Sequence, residues 1–372
     1  MHLRDSSGIF GAERVILTLA KKIDPSKVKI GLLCLRRKDG RSQRLIDAAR
    51  QAGIDVFPVD VSGRFDLGAL WEMRSILQSQ KVDLIHTHDF KSDFYGLGAS
   101  AGTRIARVAT AHGSTRDSVL KKLYLLFTEK GTYRFFHRVI AVSQELHSYL
   151  RSCGLPSWKI ETIQNGIDFS LLNATAPGNE APLPDLNGRC VFSVIGRLFP
   201  DKGHRFFLEA FSRVYRTHPR AAAMIIGDGP ERQAILDKIG QLKLEGAVHL
   251  CGVRANMAEA YAHTHCLVIP SLTEGLPYVL LEAMGKQVPV IASGVGDIPL
   301  LIKQGATGYL ATPGDVEDLE QKMIAFLEHP AQNAQMAVNA CNLVTEKYSA
   351  IQMAAKTEAL YRRLTEKKWS SK

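Results

Sequence analysis

No stretch of this 372-residue sequence keeps apolar residues together for the roughly 18 positions that a membrane-spanning helix requires. The polar opening Met1-His2-Leu3-Arg4-Asp5 lacks a signal-peptide pattern. Both absences lead us to expect a cytoplasmic protein. Six cysteines (Cys34, Cys153, Cys190, Cys251, Cys266, Cys341) are scattered without Cys-x-x-Cys spacing, so neither a disulfide framework nor a zinc site is indicated. There is no Asp-x-Asp pair, no short repeat and no low-complexity segment. A metal held by such an acidic pair is therefore not expected, and no cofactor is implied. Recognition-helix, RNA-binding aromatic and zinc-finger patterns are also missing, which argues against nucleic acid as a partner.

What is present begins with charge. The formal net charge is +10, and 26 Lys and Arg against 17 Asp and Glu fall within residues 1–170, which leaves the remainder nearly neutral. A one-sided basic surface suits a phosphate-bearing substrate or an anionic membrane.

Short apolar and β-branched runs alternate with helical patterns along the chain. Val28 to Leu35, Asp55 to Val59, Val82 to Thr87, Arg107 to Thr110 and Val139 to Val142 come first. Cys190 to Ile195, Ala222 to Ile226, Val248 to Leu250, Cys266 to Ile269 and Val288 to Ala292 follow. This alternation predicts an α/β fold with two doubly wound, Rossmann-like domains facing a cleft. Between Phe169 and Gly188 the periodicity stops and Asn, Ala, Pro and Gly accumulate. The expected division is 1–168, a linker over 169–188, 189–349, and a terminal helical segment over 350–372 that returns to the first domain.

Three constellations carry chemistry. In Thr273-Glu274-Gly275-Leu276-Pro277-Tyr278-Val279-Leu280-Leu281-Glu282, two carboxylates stand eight residues apart across a strand-to-helix turn. Pro277 suits the first helical turn. The amides of Gly275, Leu276, Tyr278 and Val279 would then converge where an anion is favoured. In Gly196-Arg197-Leu198-Phe199-Pro200-Asp201-Lys202-Gly203, a fork of donors and a point charge flank one turn, a pairing that suits a diphosphate. Gly227-Asp228-Gly229-Pro230 is a further glycine turn, short of a full dinucleotide signature. Alone, the glutamate pair also reads as a capped helix with two solvated glutamates, the cation pair also reads as a charged surface turn, and the last glycine turn means little. His86 and His88, and likewise His263 and His265, alternate as on a strand face, but without a third ligand at useful spacing they read as packing or surface residues.

Taken in order, these motifs and Pro289-Val290-Ile291-Ala292 resemble the retaining glycosyltransferases of family 4, of GT-B fold. So do Gly11-Ala12-Glu13-Arg14-Val15, Val82-Asp83-Leu84-Ile85-His86-Thr87-His88, Ala109-Thr110-Ala111-His112-Gly113, Ala141-Val142-Ser143 and Asn165-Gly166-Ile167-Asp168. The resemblance implies that Arg197 and Lys202 bind the diphosphate of a nucleotide-sugar donor, with Gly11, Gly196 and Gly227 at the same site. It implies that Glu274 contacts the donor sugar, that the backbone from Gly275 through Leu276, Pro277 and Tyr278 to Val279 holds sugar and phosphate, and that Glu282 holds the ribose. His112 would approach the sugar from the first domain. Glu274, His112, Arg197 and Lys202 form the implied catalytic set, which acts through front-face attack with retention.

Two places depart from the family. Only His2-Leu3-Arg4 precede Asp5 where a complete first strand is usual, so that strand is expected to be cut down or to begin upstream. Asp297 and Leu300 occupy positions where the family commonly has glycine and glutamate. The leading expectation is transfer of a sugar to a glycan or lipid-linked acceptor in surface polysaccharide, lipid or glycoconjugate synthesis. The alternatives are a nucleotide-sugar epimerase or phosphorylase on the same architecture, and a non-catalytic sugar-nucleotide-binding protein. The segment Val119 to Phe127, with Lys130 and Arg134 to Arg138, mixes basic and bulky apolar residues. It reads as a buried amphipathic helix or as a helix that meets an anionic membrane surface.

Overall fold

The computed structural model describes residues 1–5, 11–36, 40, 42–63, 66–112, 131–170, 181–254 and 256–366. The chain divides into two compact units: residues 1–166 together with 350–372, and residues 167–349. Of the expected linker, residues 171–180 lie outside the described residues, as does the basic segment from Val119 to Lys130.

In the first unit the strands are β1 (His2–Asp5), β2 (Gly31–Arg36), β3 (Asp55–Asp60), β4 (Leu84–Thr87), β5 (Ala106–Ala111), β6 (Arg138–Ala141) and β7 (Ile160–Thr162). They form one parallel sheet in the order β3-β2-β1-β4-β5-β6-β7. The residues ahead of Asp5 do form a strand. At four residues β1 equals its neighbour β4 in length, and it fills the middle of the sheet with His2 in register with His86. Helices α1 (Gly11–Lys22), α2 (Gln43–Gln51), α3 (Leu67–Ser79), α4 (Phe90–Ala99) and α5 (Gln144–Ser152) connect these strands. The start of α4 is written in its sequence: Asp89 accepts from the Ser92 amide while the Ser92 hydroxyl accepts from the Asp89 amide, a reciprocal capping box.

The second unit has β8 (Cys190–Ile195), β9 (Ala221–Ile226), β10 (Val248–Gly252), β11 (Cys266–Ile269), β12 (Val290–Ser293) and β13 (Tyr309–Ala311), again all parallel, in the order β10-β9-β8-β11-β12-β13. Its helices are α6 (His204–Thr217), α7 (Arg232–Gln241), α8 (Met257–Ala262), α9 (Tyr278–Gly285), α10 (Ile298–Leu301), α11 (Val316–Glu328) and α12 (Pro330–Lys347). Because both faces of such a sheet are covered, its inner strands are mostly apolar: every residue of β9, β11 and β12 is buried. On one face Phe192 meets Phe211 edge-on, and Phe207 stacks on Phe211.

The last helix, α13 (Ala350–Glu366), returns to the first unit and packs on α1 and β4. Its buried stripe is Met353, Ala354, Thr357, Leu360 and Tyr361. Among the described residues no helix is long and apolar enough to cross a membrane.

Candidate functional site

In an open parallel sheet the crevice for a ligand lies at the carboxyl ends of the strands where the strand order reverses. In the second unit that reversal falls between β8 and β11, so the loops that start at Gly196 and Pro270 flank it. Lys202 and Glu274 meet there: Lys202 Nζ lies 2.6 Å from Glu274 Oε1, and the Ser271 hydroxyl donates to that same oxygen at 2.9 Å. Both side chains are mostly covered, and Asp201 Oδ2 is 3.6 Å from the same ammonium.

Glycine makes these loops possible. Gly203 has φ +69°, and a Cβ there would lie 1.9 Å from the Pro270 carbonyl oxygen. The turn that carries Lys202 can therefore lie against the loop that carries Glu274. At Gly227 (φ +144°), a Cβ would lie 1.8 Å from the Gly196 carbonyl oxygen, so the two glycine turns that the sequence singles out pack against one another. The Leu198 amide donates to the Asp228 carbonyl at 3.0 Å, which ties the Arg197 loop to the second turn.

Arg197 is exposed, and its guanidinium stands 4.7 Å from the Phe199 ring centroid, a cation–π contact that restrains its direction. Pro277 serves as the N-cap of α9 with extended backbone, one position ahead of the first turn expected for it. The amides of Tyr278 and Val279 still belong to the first turn and have no helical carbonyl of their own. Leu276 is buried in the apolar core, so only its backbone is available to a ligand. Asp297 is buried, and its amide donates to the Gly275 carbonyl at 3.0 Å, which fixes the turn that precedes α9.

Glu282 is also buried, one face of α9 further on, where the Tyr261 hydroxyl donates to its Oε2 at 2.7 Å. Tyr261 comes from α8 and escaped the sequence reading, because nothing local links positions 261 and 282. His204, beside Lys202, is a second such residue. It is buried, neither ring nitrogen has a hydrogen-bond partner, and burial together with the Lys202 charge pulls its pKa down to about 4.

The first unit holds a separate cluster at its own reversal, between β1 and β4. His2 Nδ1 lies 2.7 Å from His88 Nε2, and His88 Nδ1 lies 3.1 Å from His112 Nε2. His86 contacts the Tyr361 hydroxyl through Nδ1 at 2.5 Å and the Thr110 hydroxyl through Nε2 at 2.6 Å. Tyr361 also reaches His2 Nε2 at 3.3 Å. Burial depresses the pKa of every ring, to about 3 for His2 and His112 and well below the ordinary value for His86 and His88.

His2 is thus the third histidine that sequence spacing could not find. His2, His86 and His88 bring one ring nitrogen each to within 4.8 Å of one another, a spacing a metal could use. All six of their ring nitrogens are, however, spent on the hydrogen bonds above. His263 and His265 precede β11 instead of alternating along it; His263 caps α8, and His265 Nδ1 accepts from the Val191 amide at 3.2 Å. Gly11 opens α1, while residues 6–10 ahead of it and Gly113 after His112 lie outside the described residues. Nearby, Arg4 donates to Glu13 at 2.8 Å and to the His88 carbonyl at 2.8 Å.

Two doubly wound parallel units, one with a cation–carboxylate pair at its switch point, define the class as GT-B. Residues 189–329 match the family described as Glycosyl transferases group 1, and residues 9–171 match Glycosyltransferase Family 4. The chain belongs to this family and is a glycosyltransferase.

Among its relatives is the UDP-Gal:alpha-D-GlcNAc-diphosphoundecaprenol alpha-1,3-galactosyltransferase of Escherichia coli, 24% identical over 94% of this chain and 93% of that one. The N-acetyl-alpha-D-glucosaminyl L-malate synthase of Bacillus anthracis is 27% identical over 80% of this chain and 79% of that one. Among solved structures, Anabaena HepE in complex with UDP-glucose superposes with a TM-score of 0.81 at 23% identity, covering 96% and 98% of the two chains.

Proposed function

We propose that the protein is a retaining hexosyltransferase that moves a sugar from a nucleoside-diphosphate donor, with UDP as the first nucleotide to test, to a glycan or lipid-linked acceptor. The observation that carries this reading is the Lys202–Glu274 pair at the switch point of the second unit. A basic residue and an acid already matched to one another suit a ligand that presents phosphate at one end and hydroxyls at the other. When the donor enters, its diphosphate replaces Glu274 as the partner of Lys202, and Glu274 turns to the sugar hydroxyls. Arg197 supplies a second cation to the diphosphate, and Glu282, held by Tyr261, takes the ribose.

In this reading the second unit receives the donor and the first the acceptor, and His112 serves the donor sugar. The bond from the anomeric carbon to phosphate breaks as the acceptor oxygen attacks from the same face, and the departing phosphate oxygen takes the acceptor proton. Arg197 and Lys202 offset the charge that develops on the leaving group. The names of the relatives support a UDP-linked donor and an acceptor that is a polyprenol-linked sugar or a small molecule.

Release of nucleoside diphosphate across a panel of UDP-, GDP- and ADP-sugars, with and without acceptor, tests the assignment. Lys202→Ala and Arg197→Ala should each lower turnover by about 100-fold with the preferred donor. Full turnover in both variants would sink the site. We also propose that the basic surface of the first unit brings the enzyme to the membrane face. Flotation with anionic liposomes should then show association that falls as salt rises, and its absence at low salt removes this part of the reading.

A further inference from the structure

The six groups Thr110, His86, Tyr361, His2, His88 and His112 form one continuous hydrogen-bonded chain through the sheet of the first unit. All four imidazoles are neutral at neutral pH because burial disfavours their charged form. Each therefore has one N–H donor and one bare nitrogen, so the direction of any one bond fixes the direction of the next.

Neutral His86 can accept from only one of its two hydroxyl partners. Phenol is a far stronger acid than the threonine alcohol, so Tyr361 donates and Thr110 accepts. Of the two contacts of the phenol, the one to His86 is the shorter at 2.5 Å and the one to His2 the longer at 3.3 Å. His2 is then protonated at Nε2 and accepts at Nδ1. His88 gives its Nε2–H to His2 and accepts at Nδ1, and His112 gives its Nε2–H to His88. What remains on His112 is a bare Nδ1.

We infer that Tyr361 is a positioning residue: from the last helix, through His2 and His88, it sets His112 in the Nε2–H form, so that His112 meets a ligand as a hydrogen-bond acceptor. The inference rests on the reading that His112 serves the donor sugar, where an acceptor at Nδ1 would take a sugar hydroxyl proton into a hydrogen bond. Neither the sequence spacing nor the family match assigns any part of this to position 361.

The test is two-bond 1H–15N correlation spectroscopy of histidine-labelled full-length protein, which reads the tautomer of each ring, alongside steady-state kinetics. In the unaltered protein His112 should be a single Nε2–H tautomer. In Tyr361→Phe the first donor is gone, the polarity of the chain is no longer set, and the His112 signals should become those of a mixture. Turnover should fall by about tenfold with donor KM little changed, less than the loss from removing a group that acts on the sugar directly. Thr110→Val cuts only the far end and should leave His112 as it was. His88→Leu, which can neither accept nor donate, breaks the chain next to His112 without touching α13, so it must also abolish the single tautomer and covers the case in which Tyr361→Phe does not fold.

An unaltered His112 spectrum in either Tyr361→Phe or His88→Leu overturns the inference. His112→Ala separates the two claims: full turnover in that variant defeats the donor-sugar role of His112, while the spectra still decide whether Tyr361 sets its tautomer.

Discussion

Gly203 shows how much one hydrogen atom can decide. Any side chain at that position meets the Pro270 carbonyl oxygen in a backbone conformation that L-residues rarely adopt. Gly203→Ala should therefore destabilise the protein by about 2 kcal/mol or more, and it should move Lys202 away from Glu274. Urea unfolding and donor KM would measure the two effects. The neighbouring His204 gives a prediction in pH. Its native pKa of about 4 lies below that of an unfolded histidine, so the unfolded chain binds the extra proton in between. Stability is fully present above about pH 6.5, the unfolded value, and falls as pH drops toward 4. In urea titrations at a series of pH values His204→Leu should lessen that slope by one proton's share, the rest belonging to the buried histidines of the first unit, and an unchanged slope would rule out a part for His204. At this scale the sequence was only partly legible. Lys202, Glu274 and Glu282 stood out because short motifs surround them. Tyr261, His2 and Tyr361 did not, because their partners are chosen by helix packing and strand register across 21, 86 and 275 positions.

At the scale of elements, α9 does two things at once: its apolar face locks into the core through Leu280, Leu281 and Met284, and it carries Glu282 on a side that Tyr261 reaches. If Glu282 holds the ribose, Tyr261→Phe removes one hydrogen bond from the carboxylate, so donor KM should rise several-fold, on the order of one lost hydrogen bond to a charged group, with kcat nearly unchanged. A fall in kcat alone would contradict that role. The strands that alternation picked out are all four or more residues long. β7 and β13 went unseen because three residues give periodicity too little to work with. The boundary at Pro277 was misplaced by one residue because proline is compatible with both the cap and the first turn.

At the scale of the whole molecule, the doubly wound architecture was visible from the alternation of strand and helix, because a parallel sheet requires a crossover after every strand. What alternation could not show is the strand order, and the order is what puts Lys202 beside Glu274 and His2 beside His86. The return of α13 to the first unit has a consequence in time. A chain leaves the ribosome from its amino end, so the second unit has all of its residues once Ser349 has been made, while the first, begun earlier, still waits for its closing helix. Until Tyr361 emerges, His86 and His2 have no phenol to bind, and the older half of the protein is the last to be finished.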